Sequence, residues 1–184
     1  MKTHLSKDVT IADYRRMEAE QDRAAISQFL RKRFTERYIT PMRVDKDKKN
    51  GFTIIAVSCL MIEALESFYH GWTNSRNKSQ LAFCNFFDRD PDFNFMRGHG
   101  EGFYRHVRCG ILHQAETTGG WHIRRRGKVF EESTMTINTK LFHDRVENAL
   151  RRYCDQLEQD AWNSELWKKF RKKMNSVCAN CEVK

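Results

Sequence analysis

Arg108 and His113 stand five residues apart in the stretch RCGILH, residues 108–113. A guanidinium presents a planar fork of donors that matches a phosphate. An imidazole gives or takes a proton near neutral pH. The residue types suit phosphate contact and proton transfer. Around it, in GFYRHVRCGILHQAETTGGW, His106, Cys109 and His113 recur at steps of three and four, while Tyr104, Val107 and Ile111 make an apolar face. On an ideal helix a five-residue step is about 140° of rotation, so Arg108 and His113 leave different faces. Three arrangements would bring them to one ligand. The long arginine reaches around, Gly110 loosens the turn, or a second copy of the chain faces the first across a two-fold axis. The plainer reading is structural: Arg108 pairs with Glu63 or Glu66, and His113 sits at a helix C-terminus, where the dipole favours it.

Other residues carry potential chemistry. Glu63, Glu66 and His70 share a helical face at steps of three and four, which is half of a carboxylate metal site. No matching Glu-x-x-His follows on another helix, so no metal and no other cofactor is expected. Glu63 and Glu66 are read instead as supporting residues that orient Arg108 or His113, or as lining of a polar interface. Arg124, Arg125, Arg126 and Lys128, flanked by Trp121 and Phe130, suit single-stranded RNA held by phosphate contact and base stacking. Arg105, Thr117 and Thr118 would add phosphate contacts. A solvated turn is the alternative. Cys178 and Cys181 form a lone C-x-x-C without the second pair that a structural zinc requires. A zinc shared between two chains or a redox pair stands against a frayed tail, which is preferred.

These residues need elements to position them. Residues 9–38 alternate charge with apolar positions near helical spacing, predicting one long helix with Thr10 as its N-cap. Residues 40–51, TPMRVDKDKKNG, read as a basic solvated loop or a basic flap that touches phosphates. In the most apolar stretch, 52–72, Ile54, Met61, Leu65, Phe68 and Trp72 make one stripe, with Ile55, Cys59 and Ile62 beside it, as in a central helix. Residues 78–88 predict a short aromatic helix stopped by Asp90-Pro91. Residues 101–116 return to helical spacing. Around the Arg126-Gly127 turn, 121–137 predict a small β-hairpin or an ordered loop. A helix from about 139 to 158 and a last one bearing Trp162, Leu166 and Phe170 complete the chain. The expectation is an all-α single domain over 1–184: a bundle of about five to six helices with a small β-hairpin insertion near 121–137 and a flexible tail from about 176.

Composition agrees. Among 184 residues there are only two prolines, and the net charge is +9, which favours a polyanionic partner. The N-terminus is too charged for a signal-peptide core, and the apolar run from Phe52 stops at Glu63, too short to span a bilayer. A soluble cytoplasmic protein with no membrane partner is expected. The six cysteines read as reduced core or interface thiols. Neither a G-x-x-x-x-G-K-[ST] nor a G-x-G-x-x-G is present, which leaves phosphate-loop and dinucleotide readings without support.

An R-x4-H element near the end of a late helix, in a basic, mostly helical chain, resembles the HEPN superfamily, the higher eukaryote and prokaryote nucleotide-binding domains. The wider phrase FYRHVRCGILHQAETTGGW looks like a bacterial subgroup of such proteins. The resemblance implies a metal-independent endoribonuclease that works as a homodimer on RNA, in a toxin–antitoxin or defence setting with a cognate antitoxin protein. His113 would move a proton at the 2′-hydroxyl or the leaving oxygen, and Arg108 would bind the scissile phosphate, leaving a 2′,3′-cyclic phosphate. Cys109 departs from the family, which often has Asn, Asp or His there; His106 would take that polar role. The departure favours an alternative: an inactive HEPN-like module that binds RNA, a nucleotide or a protein partner.

Overall fold

Residues 9–38 form two helices rather than the one their spacing predicts. The computed structural model describes residues 3–43 and 50–182; of the basic connection expected at 40–51, residues 44–49 lie outside the described residues, while Thr40–Arg43 is helical and Gly51 already opens the next helix. Helix α1 (Ile11–Ala19) starts at Thr10, whose hydroxyl accepts from Asp13 N–H while the Asp13 carboxylate accepts from Thr10 N–H. That reciprocal cap satisfies two otherwise orphaned donors. The break comes at Gln21, left-handed at φ 54°, and Asp22, whose carboxylate accepts from Ala25 N–H and starts α2 (Arg23–Phe34). A short acidic side chain competes for backbone donors and restarts the helix. A π-helical turn, Thr35–Ile39, leads into α3 (Thr40–Arg43).

The remaining helices are α4 (Gly51–His70), α5 (Ser79–Arg89), α6 (Gly100–Gly102), α7 (Cys109–Gln114), α8 (Thr139–Gln159) and α9 (Glu165–Cys181). The chain is mostly helical, with more helical segments than five or six and a small sheet. Its described residues fall into two compact units.

The first unit draws on Met1–Pro41, Ser67–Asn74 and Leu150–Lys184. Tyr14, Ile26, Leu30, Phe34, Phe68, Trp167 and Phe170 are buried there. Phe68 stacks on Phe170 with centroids 5.5 Å apart, and Phe34 meets Phe68 edge-on at 5.9 Å. Ser164 caps α9, and the Trp167 indole N–H donates to the Leu157 carbonyl at 2.9 Å. The stretch from 176, read from the sequence as a flexible tail, is helical through Cys181 and buries Cys178. All six cysteines are free thiols.

The second unit draws on Met42–Glu66 and Ser75–Ala149. Its core is aromatic. Phe83, Phe86 and Phe87 of α5 meet Phe93 of a 3-10 turn (Pro91–Met96), Phe103, and Phe142 of α8, all buried. Phe103 stacks on Phe142 at 5.3 Å and meets Phe87 edge-on at 5.1 Å. As predicted, α5 ends at Asp90-Pro91. Along α4, Ile54, Ile55, Cys59, Met61, Ile62 and Leu65 are buried. By length and composition α4 could cross a membrane, but 61% of its most apolar window is buried, as in a core helix.

The sheet is not the expected hairpin. Strand β3 (Thr136–Asn138) lies between β1 (His122–Arg124), to which it is parallel, and β2 (Phe130–Glu131), to which it is antiparallel. All three β3 residues are buried, so its backbone must be satisfied on both edges, and the central place provides that. Asn138 closes the arrangement, donating from its side chain to the Gly127 carbonyl at 2.9 Å and from its backbone to Val129 at 2.8 Å.

Candidate functional site

Phe103 and Val107, both fully buried, anchor the segment that bears Arg108 and His113. It runs from α6 through a π-helical turn, Phe103–Arg108, into α7. In that turn Cys109 N–H donates to the Tyr104 carbonyl, five residues back. A π turn holds an extra residue, so the positions after it are rotated from their ideal α-helical places. No proline or glycine inside 103–108 announces it.

Arg108 is held from below by α4. Its Nε donates to Glu63 Oε1 at 2.9 Å, and the two side chains are only 21% and 11% exposed. Ser79, at the start of α5, donates its hydroxyl to Glu63 Oε2 at 2.7 Å. Burial works against the Arg108 charge, but the hydrogen bond and charge of Glu63 outweigh it and raise the guanidinium's pKa. The guanidinium also lies 5.9 Å from the centre of the Tyr104 ring. The neighbouring Cys109 side chain, together with burial, raises the Tyr104 pKa. Of the two carboxylates predicted to support the site, Glu63 does orient Arg108. Glu66, fully buried, goes to the Arg89 guanidinium instead, because both ends of its carboxylate are taken there. His70 stacks on Trp72 at 4.8 Å, and no cluster of three metal-ligating side chains occurs among the described residues.

Beside Arg108, Ala56, Cys59, Leu60, Ile111 and Leu112 line an apolar groove of about 290 Å³. Leu60 and Leu112 are 54% and 60% exposed, well above the other residues of their helices that pack inward. Burial pushes the Cys59 thiol pKa up, so it contributes an apolar sulfur. His113 lies on the last turn of α7, exposed.

Several residues predicted to touch RNA instead fasten this segment. The Thr117–Gly120 turn folds back over the helix. Thr118 N–H donates to the His106 carbonyl at 2.9 Å, and the Thr118 hydroxyl meets His106 Nδ1 at 3.1 Å. Gly119 is left-handed at φ 58°, and a Cβ there would lie 2.3 Å from the His106 ring. At Gly110 a Cβ would lie 2.6 Å from the Glu116 carbonyl oxygen, so a side chain would hold the turn off. The Thr117 hydroxyl donates to the Trp121 carbonyl at 2.7 Å. His106, Thr117 and Thr118 thus direct these polar groups inward. Trp121 is 4% exposed, stacked on Phe130 at 5.8 Å and edge-on to Phe103 at 6.1 Å, so it offers no open ring to a base. The aromatic signal around the basic turn was a packing signal. Arg105 is exposed and pairs with Glu101 at 2.9 Å. Arg124 and Arg125 are half-buried, while Arg126 and Lys128 are exposed, Lys128 lying 3.4 Å from Glu131.

Sequence reasoning missed Ser79, Leu60 and Leu112. Leu60 was hidden in the continuous apolar run of α4, where nothing distinguishes an uncovered position. Leu112 could have been found as an apolar residue opposite the Val107 face.

The structure thus sets an arginine, held by a largely buried glutamate, at the edge of an apolar groove, with an exposed histidine five residues on at the end of α7. No protein-family model, no curated protein and no solved structure matches the chain.

Proposed function

We propose that the protein is a homodimeric, metal-independent endoribonuclease of the HEPN type, which its RCGILH motif resembles. One observation carries the reading. Arg108 is fixed by Glu63 beside a groove whose two leucines are exposed. Five residues on an ideal helix are about 140° of rotation, which would aim Arg108 and His113 of a single chain apart. A second copy that covers Leu60 and Leu112 about a two-fold axis would bring Arg108 of each chain toward His113 of its mate.

In the reaction, His113 accepts the 2′-hydroxyl proton, O2′ attacks phosphorus and the P–O5′ bond breaks. O5′ leaves with a proton from the mate's histidine, giving a 2′,3′-cyclic phosphate and a 5′-hydroxyl. Arg108 offers its remaining N–H groups to the phosphoryl oxygens as their charge grows. Arg105, Arg126 and Lys128 lend positive charge to a longer RNA. A cytoplasmic toxin–antitoxin or defence role, with a cognate antitoxin protein, belongs to this reading.

Incubation of RNA with the protein in EDTA tests it. Cleavage should fall about 10²–10⁴-fold in His113→Ala and in Arg108→Ala while sedimentation still reports a dimer. Unchanged cleavage in both variants refutes the assigned roles. Cys109, where the family often has a polar Asn, Asp or His, favours the second reading, a non-catalytic RNA-binding module. That reading expects salt-sensitive binding without a cyclic-phosphate product.

A further inference from the structure

Leu60 and Leu112 are the most exposed large apolar side chains among the described residues, and both line the groove beside Arg108. A single exposed leucine is ordinary, but two on one concave apolar surface call for an occupant. The groove has a direction. Along α4, Ala56, Leu60 and Glu63 follow one another at steps of four and three, and Glu63 accepts from Arg108 Nε at 2.9 Å. The guanidinium therefore stands at the Glu63 end, and Ala56 lies about 10 Å further back along the helix. Cys59, Ile111 and Leu112 complete the walls.

The lining decides the class of ligand. Arg108 is its one charged side chain, and the Cys59 thiol is kept protonated by burial. Glu63 does not line the groove, and its second oxygen accepts from the Ser79 hydroxyl. It occupies Nε alone; no oxygen among the described residues accepts from the two Nη groups. Those groups present parallel donors, a geometry that a carboxylate matches. A sugar or a nucleobase would leave its own polar groups unpaired against Ala56, Leu60, Ile111 and Leu112, whereas an alkyl chain has none to leave. Volume sets the length. At about 30 Å³ for each water-sized atom, 290 Å³ accommodates about ten non-hydrogen atoms.

We propose that the groove binds a small amphipathic carboxylate, an unbranched acyl chain of about eight carbons, with its head on the Arg108 Nη groups and its tail along Leu60 and Leu112 toward Ala56. The site shares Arg108 with the proposed ribonuclease but does not rest on that reading: binding needs no RNA, and a mate laid on the same leucines would compete with it.

Octanoate, below its micelle concentration, is the probe, with hexanoate and 1-octanol as comparisons. Calorimetry on the full chain gives affinity and stoichiometry, and methyl NMR reports on Leu60, Ile111 and Leu112. One octanoate per chain should bind and move those methyl resonances. Hexanoate, two methylenes shorter, should bind about tenfold more weakly. The uncharged 1-octanol should bind at least about tenfold more weakly, for want of a charge-assisted hydrogen bond. Leu112→Asn, at an exposed position outside the core, and Arg108→Gln should each weaken octanoate binding about tenfold. Hexanoate or 1-octanol binding as tightly as octanoate, an affinity unmoved by both substitutions, or no uptake of octanoate by the folded chain would each overturn the proposal. None of these outcomes decides whether RNA is cleaved in EDTA.

Discussion

Glu63→Gln is the sharpest perturbation of the candidate site. It keeps the size of the side chain and an oxygen for the Ser79 hydroxyl, but removes the charge that faces Arg108 Nε at 2.9 Å. A hydrogen bond between charged groups contributes about 1.5–3 kcal/mol when largely shielded from water. The two side chains are 21% and 11% exposed, below the exposure at which screening erases such a term. The substitution should therefore cost about 1.5–3 kcal/mol, and at ~2–4 °C per kcal/mol for a chain of this size the melting temperature should fall by about 3–12 °C. A double-mutant cycle with Arg108→Gln isolates the pair, and its coupling energy should exceed ~1 kcal/mol. On the proposed ribonuclease reading, RNA cleavage by Glu63→Gln should drop at least tenfold at a temperature where the variant is fully folded, because an untethered guanidinium would no longer await the phosphate in place. Wild-type melting together with coupling below ~0.5 kcal/mol would show that Glu63 does not hold Arg108, and the argument for a prepositioned cation would go with it.

Gly119→Ala should be costly, because the new methyl group meets the His106 ring and the left-handed backbone disfavours it; a loss of about 2 kcal/mol or more is expected in urea titrations, partly recovered in Gly119→Ala/His106→Ala. Stability should depend on pH through His143. Its folded pKa lies below the unfolded value of about 6.5, so its contribution is intact above that pH. Below about 6.5 the unfolded chain binds a proton that the native ring refuses, and stability falls by up to ~1.4 kcal/mol per pH unit until the folded pKa is reached. His143→Asn should flatten that slope in chemical denaturation run from pH 7 to 5, and an identical slope would contradict it. Trp121→Ala should cost ~3–5 kcal/mol as a core truncation, whereas Lys128→Gln should leave the melting temperature within a degree or two and reduce the salt dependence of RNA binding. A stable Trp121→Ala that loses only RNA affinity would restore the stacking role.

Much of the helical pattern was legible from side-chain chemistry close in sequence. Thr10 and Asp13 make a cap within four residues, and Asp90-Pro91 stops α5 within two. The interruption at Gln21–Asp22 rests on the same local chemistry but was obscured, because apolar periodicity resumes on its far side. The sheet was harder. Runs of β-branched residues announce strands, but β3 takes the centre for lack of any other way to satisfy a buried backbone on both sides. The basic turn misled for a related reason. An indole flanked by arginines has the same composition whether it faces a base or, like Trp121, packs against Phe130 and Phe103.

By itself the sequence determined the net positive charge, the apolar stripe of α4 and the spacing that sets Arg108 and His113 on separate helical faces. These follow from residue type and helical pitch, which act over a few residues. Only the tertiary structure decided that Glu63, 45 positions earlier, would hold Arg108, that Glu66 would go to Arg89, and that Leu60 and Leu112 would be left uncovered. Periodicity says which residues share a face, but which faces meet is settled by the packing of side chains far apart in the chain, where volume and hydrogen-bond geometry must be satisfied together.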